Sequence, residues 1–246
     1  MKHLTVQLHD ICRMSWYTNA MEFVEGTQAD AIDAVSARII SGLGDGKRVL
    51  WLISGGSNIL LEVEIMAAVR ESGADLAGLA VMPMDERYGE AGHKDSNIQQ
   101  LRDAGFESGE ATLVDILIHN VPFDQTVSFY NDIASTAFAS AGVVIGQFGL
   151  GADGHVAGIL PDSPATSAEP VVVIGYEWSD YIRLTLSAEM LKQIAVAFVP
   201  AFGAGKADAL ARLREDKEKF EKLPAKLLYD LPEVHVYTDH LKQEEQ

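Results

Sequence analysis

Two hydrophobic periods alternate along the chain. Across residues 27–43 the apolar side chains Ala31, Ala34, Val35, Ile39 and Leu43 recur at helical spacing, with Gly42 and Gly44 punctuating the end. Residues 49–53 form a short unbroken apolar run, the pattern of a strand buried on both faces, and an apolar-rich helix is predicted over 59–69. Further strands are predicted over 79–84, 112–118, 143–148 and 194–199, with a last one over 234–237 and a weakly alternating first one over 3–8. Residues 171–174 and 182–186 are β-rich. Helices are predicted over 124–139, after Gly205 and, as a short segment, over 224–229. The polar stretch 162–170 is expected to be a mobile connection, and the charged carboxyl tail is expected to fray.

Strands that alternate with helices, joined by connections long enough to cross over, predict an α/β fold with a mostly parallel sheet covered on both faces. No Pro/Ser-rich linker divides the 246 residues, so one domain over 1–246 is expected. Open α/β sheets keep their chemistry in loops at the carboxyl ends of the strands.

Composition narrows the partners. Against 19 Lys+Arg stand 36 Asp+Glu, a formal charge of -17, which disfavours nucleic acid and anionic membrane while leaving room for an anionic small molecule held by a few local cations. No apolar run reaches the ~18 residues of a membrane span, and the amino terminus lacks a signal peptide's apolar core. With Cys12 as the single cysteine, a cytoplasmic protein without an internal disulfide is expected, as a monomer or small homo-oligomer.

The loop after residues 143–148 is the focus of the chain. It reads Gly149-Leu150-Gly151-Ala152-Asp153-Gly154-His155 and contains G-x-G-x-x-G. A dinucleotide fingerprint is excluded, because Pro161 comes seven residues after Gly154 and leaves no room for the helix the third glycine must open. After 49–53 come Ser54, Gly55, Gly56 and Ser57, a strand–turn–helix geometry that aims amides at an anion; Ser57 or Asn58 as a helix cap is the plainer reading. Asp85, Glu86 and Arg87 follow 79–84, either as a ligand-facing group or as the strand's emergence into solvent. Ser96-Asn97 opens a short helix and can be a cap. Arg183 alternates with Ile182 and Leu184 and points either to water or to a pocket. Gly203-Ala204-Gly205-Lys206 opens a helix but is no P-loop, since Ala207 follows Lys206; the lysine holds phosphate or is simply solvated.

Five motifs, at 54–57, 85–87, 96–97, 149–155 and 203–206 in that chain order, resemble the family of 6-phosphogluconolactonases and glucosamine-6-phosphate deaminases, and they span residues 54–206. The resemblance implies a Rossmann-like three-layer α/β/α sandwich of the kind shared with ribose-phosphate isomerases and CoA transferases. It implies hydrolysis of a phosphosugar lactone, with no cofactor and no metal. His155 and Asp153 are then the catalytic pair, and Ser54, Gly55, Gly56, Ser57, Asp85, Arg87, Asn97, Gly151, Arg183 and Lys206 bind substrate and its phosphate. An imidazole ordinarily titrates near ~6.5 and suits a general base that draws a proton from attacking water; Asp153 orients the loop or the ring. Deaminases of the family follow the histidine loop with Asn-Glu-Pro and read Asp-Glu-Tyr at the charged motif. Here Ile159-Leu160-Pro161 and Asp85-Glu86-Arg87 stand instead, which favours the lactonase, although lactonases usually read Ala-Ser-Leu-Phe-Pro where this chain has Ala157-Gly158-Ile159-Leu160-Pro161. The G-x-S-x-G elbow is absent, so a water-attack hydrolase fits better than a Ser57/His155/Asp85 triad. The competing functions are a deaminase-isomerase and a non-catalytic sugar-phosphate sensor; a sensor would normally carry a DNA-binding or partner domain, and no basic helix-turn-helix segment is visible.

Overall fold

A computed structural model describes residues 20–168, 171–179 and 181–241. The expected strand over 3–8, Cys12 and the end of the carboxyl tail lie outside the described residues.

Seven strands pair in parallel. In chain order they are β1 (Ala20–Glu25), β2 (Val49–Ile53), β3 (Leu79–Pro83), β5 (Thr112–Leu113), β6 (Val143–Gln147), β9 (Val196–Pro200) and β10 (Glu233–Thr238), arranged β1-β10-β9-β6-β2-β3-β5. Within β2, Val49, Trp51 and Ile53 join one buried cluster while Leu50 and Leu52 join another. That is the two-residue period of a strand sandwiched between layers, and it explains why the run has no polar position. The first cluster is completed by α1 (Gln28–Gly44), α2 (Ile59–Glu71) and α3 (Asn97–Asp103), the second by α4 (Phe123–Ser140) and α6 (Ala207–Glu215). The fold is a three-layer α/β/α sandwich.

Local chemistry sets the helix starts. Thr27 and Asp30 form a reciprocal capping box at α1, and Ser96 accepts from the Gln99 amide at α3. The loop after β6 runs on without a helix, as the excluded dinucleotide fingerprint required.

The structure departs from the sequence reading in several places. Residues 85–87 are a strand, β4 (Asp85–Arg87), which pairs antiparallel with β8 (Tyr181–Leu186); β8 in turn forms a hairpin with β7 (Val173–Trp178). This second, three-stranded sheet packs its Leu184, Leu186, Val173 and Tyr176 into the same cluster as Leu50 and Leu52. A charge run thus hides an edge strand whose partner lies ~100 residues on, a pairing that local periodicity does not report. The strand expected over 112–118 stops at Leu113, because the Asp115 carboxylate turns back to accept from the Leu117 amide at 3.1 Å. The connection 162–168 is packed rather than mobile, with Ser163 and Ala165 buried around a turn at Pro164–Thr166. Two elements were not foreseen, β1 and the one-turn helix α5 (Ala188–Leu191) capped by Ser187.

Leu52 lies fully buried between β2 and the second layer. Leu52→Ala is expected to cost about 2–5 kcal/mol, read from chemical denaturation; a loss below that range would show that the layer closes over the gap.

Candidate active site

The strand order reverses between β2 and β6. From β2 the chain proceeds outward through β3 to β5, then returns to lay β6 against the other side of β2. Loops leaving the carboxyl ends of two such neighbours go opposite ways and leave a crevice, the usual ligand position in an open α/β sheet. A cavity of about 90 Å³ lies there, lined by Ser54, Gly55 and Gly56 after β2, Gly149, His155 and Ala157 after β6, Asp85 and Arg87 of β4, Arg183 of β8 and Asn97 of α3. Two larger cavities, of about 560 Å³ and 600 Å³, lie away from these loops, and His155 lines neither.

His155 is held from behind. Its Nδ1 lies 2.6 Å from Asp153 Oδ1, and its own amide donates to the same oxygen at 3.1 Å. The hydrogen bond from His155 holds the Asp153 carboxyl down to about 2, so Asp153 is an anion at any working pH and fixes the proton of the neutral ring on Nδ1. Nε2 is then the basic nitrogen. Gly151 lies close against the imidazole: a Cβ there would fall 2.1 Å from Nδ1, so no larger residue fits beside the pair. Arg212 of α6 donates from Nη1 to the Asp153 carbonyl at 3.0 Å, and Glu218 grips the same guanidinium through Nε at 2.5 Å and Nη2 at 2.9 Å. Lys206 donates to the Leu150 carbonyl at 2.5 Å, and burial lowers its pKa. It braces the glycine loop, within electrostatic reach of Asp153, and is not among the residues that line the cavity; nor are Gly151, Asp153 or Ser57.

The opposite wall is built by Glu86, a residue not foreseen as functional. Buried completely, it accepts from the Ser96 hydroxyl at 2.9 Å and from the amides of Arg87, Asn97 and Ile98 at 2.7, 2.7 and 3.1 Å. Those bonds pin the start of α3 to β4 and aim Asn97 inward. Asn97 donates to the Asp85 carbonyl at 2.9 Å, while its Oδ1 is buried without a partner. A Cβ on Gly55 would lie 2.2 Å from that oxygen, so glycine is needed for the two loops to meet. Ser96 is indeed the cap of α3, and Asn97 faces the cavity. By contrast, neither Ser57 nor Asn58 caps the helix it precedes; the Asn58 side chain turns away to the sheet end.

Arg87 and Arg183 stand directly opposite each other across β4 and β8. Both lie over the Tyr181 ring, at 4.8 and 5.3 Å from its centroid, and both bury an Nε without a partner. Like charges in register are unfavourable; Arg87 also donates from Nη1 to the Asp95 carbonyl at 3.2 Å. Asp85 sits between these cations and the histidine. Burial raises its carboxyl above the ordinary range, against the opposing pull of His155, Arg183 and Arg87 and a hydrogen bond from Asn97. Among the described residues no group of three or more His, Cys, Asp or Glu side chains is placed to hold a metal ion.

The fold and this crevice define an open α/β protein whose site sits at the switch point of a parallel sheet. The family follows from comparison: the chain belongs to the glucosamine-6-phosphate isomerases/6-phosphogluconolactonase family, whose model matches residues 24–236. A 6-phosphogluconolactonase of Synechocystis is 25% identical over 213 residues, covering 80% of this chain and 85% of that protein. A probable 6-phosphogluconolactonase of Dictyostelium discoideum is 29% identical over 137 residues, and there the match spans 54% of each chain. A 6-phosphogluconolactonase structure from Shewanella baltica superposes with a TM-score of 0.69 at 18% identity, covering 90% of this chain and 98% of that one, which is a likeness of fold. No helix among the described residues is long and apolar enough to cross a membrane.

Glu62 supplies the test of this electrostatic picture. It is wholly buried on α2 beneath the first loop; burial pushes its carboxyl well above the ordinary value of 4.5, with the Ser54 amide donating to Oε1 at 3.0 Å as a smaller opposing effect. A raised acid holds its proton in the folded state after the unfolded chain has released it, so folding loses stability as pH rises above 4.5. Glu62→Gln keeps an acceptor and carries no charge. Its stability relative to wild type is expected to grow from about pH 5 to about pH 8 in urea titrations; a difference that stays flat with pH would contradict a raised Glu62.

Proposed function

We propose that this protein hydrolyses 6-phospho-D-glucono-1,5-lactone to 6-phosphogluconate, a step of the oxidative pentose phosphate pathway. One arrangement carries the reading: a histidine held at Nδ1 by an anionic aspartate faces, across one small cavity, two opposed arginines with unfilled donors. The arginines take the phosphate dianion, for which forked, charge-assisted bonds are suited. Asp85 and the Asn97 Oδ1 accept from sugar hydroxyls. His155 Nε2 draws a proton from water as the water oxygen attacks the lactone carbonyl. The tetrahedral oxyanion then collapses, the C=O bond re-forms as the ring C–O bond breaks, and the imidazolium returns the proton to the departing ring oxygen. Asp153 stabilises the imidazolium formed on the way and keeps the ring's orientation. Gly55 and Gly56 of the loop after β2 line the same cavity, and their amides are the candidate donors for the oxyanion, the Ser54 amide being held by Glu62.

The deaminase of the family is the alternative chemistry, and the resemblance assigns it a glutamate after the histidine loop. In this chain Ile159 is wholly buried there and Leu160 follows it, so no carboxylate is offered. A charged, phosphorylated substrate and a single cysteine are in keeping with a cytoplasmic enzyme acting as one domain.

Loss of the lactone, generated in place by oxidation of glucose 6-phosphate, is the direct assay. Wild type is expected to exceed the spontaneous rate, and His155→Ala to lose about 10²-fold or more. No acceleration by wild type would sink the hydrolase; ammonia release from glucosamine 6-phosphate would then mark a deaminase, and stabilisation by 6-phosphogluconate without turnover a sensor. Acceleration that survives His155→Ala would keep the activity and remove the mechanism. Arg183→Ala is expected to raise KM about 10-fold or more with a smaller change in kcat, the loss of charged hydrogen bonds to a group remote from the ester. An unchanged KM would take the phosphate away from this wall.

A further inference from the structure

Resting on the hydrolase reading above, we propose that Asn58 is a positioning residue of this enzyme, the strut that fixes the distance between the substrate loop after β2 and the histidine loop after β6. Asn58 is 1% exposed, and its amide nitrogen donates two hydrogen bonds, to Ser54 Oγ at 3.1 Å and to the Phe148 carbonyl at 3.0 Å. Ser54 belongs to the first loop, and Phe148 is the residue from which the second departs. The side chain makes no cap bond to its own helix, the local use an asparagine at this position ordinarily has. One turn further along α2, Glu62 accepts the Ser54 amide at 3.0 Å and anchors the first loop from below. Adjacent parallel strands fix their own spacing, but the loops beyond them share no ladder, and a single amide spans the gap. With both of its N–H groups spent, Asn58 fixes the span in a way that one hydroxyl donor cannot.

The consequence falls on geometry and not on ligand contact. Asn58 is not among the cavity-lining residues, so its loss removes no ligand contact of its own while the two loops shift against each other. A misplacement of about 1 Å costs up to 10²-fold in rate.

Asn58→Ala is therefore expected to lower kcat by about 10- to 100-fold with KM changed by less than about 3-fold, in protein whose circular dichroism and melting show it folded. The ring ¹H–¹⁵N signals of His155, followed by NMR in the same protein, are expected to shift or broaden. Asn58→Asp is the second variant. There the Ser54 hydroxyl can turn to donate to the new carboxylate, while the Phe148 carbonyl faces an anion, so only the link to the histidine loop is cut and the same fall in kcat is expected. Folded variants with wild-type kcat, a loss confined to KM, or His155 signals identical to wild type would each overturn the proposal. Should wild type itself fail to hydrolyse the lactone, the function falls, and the strut is decided by the His155 signals alone.

Discussion

Everything at this site depends on the parallel pairing of β2 with β6. Their register, Val49 with Val143 through Leu52 with Gly146, brings two loops out side by side at the carboxyl edge and sends them apart. One carries the glycine turn at 54–57, the other the histidine at 155. Both strands are buried by helices on each face, so neither can slip without moving its apolar side chains into the wrong layer. The core therefore sets the spacing of the strands as far as Leu52 and Gly146, and beyond that point the Asn58 amide carries it into the two loops.

The second sheet does a different job. The parallel sheet alone does not enclose the crevice; paired β4 and β8 add Asp85, Arg87 and Arg183 to its wall. That pairing is also where repulsion is concentrated, with Arg87 and Arg183 in register and a buried carboxylate, Asp85, close by. Like charges placed directly opposite across two strands are destabilising. Stability is spent there on a local positive field, in a molecule whose formal charge is -17. Screening confines the distant acidic surface to roughly 8 Å, so the two guanidiniums govern what an anion meets inside the cavity.

How much was legible in the sequence follows from the range of the interactions involved. Buried parallel strands betray themselves as continuous apolar runs, so β2, β3, β6, β9 and β10 were readable to within a residue or two. The glycine loops were readable because close approach demands glycine: Gly55 against Asn97 and Gly151 against His155 leave no space for a Cβ. What was lost is long-range. Nothing local says that Arg87 pairs with Arg183, or that Tyr181 lies beneath both. Arg212 looks like any basic residue near a helix end until its bond to the Asp153 carbonyl is seen. Lys206 is similar: its bond to the Leu150 carbonyl of the neighbouring loop is seen only once the fold brings the two together.

Gly158 shows how a departure from the family pattern is absorbed by packing. Lactonases of the resemblance place serine at this point, and a serine needs room. Here the Gly158 amide donates to the Thr185 hydroxyl at 3.1 Å and its carbonyl accepts from the Tyr176 hydroxyl, so the backbone is gripped from both sides by the second sheet. A Cβ on Gly158 would lie 2.7 Å from Thr185 Cβ and 3.0 Å from Asp85 Cβ. Thr185 and Asp85 face each other in register across β8 and β4, so neither retreats without opening that ladder. The depth of Asp85 in the cavity and the absence of a side chain at 158 are thus one feature, and the cavity wall is shaped by the second sheet as much as by the histidine loop.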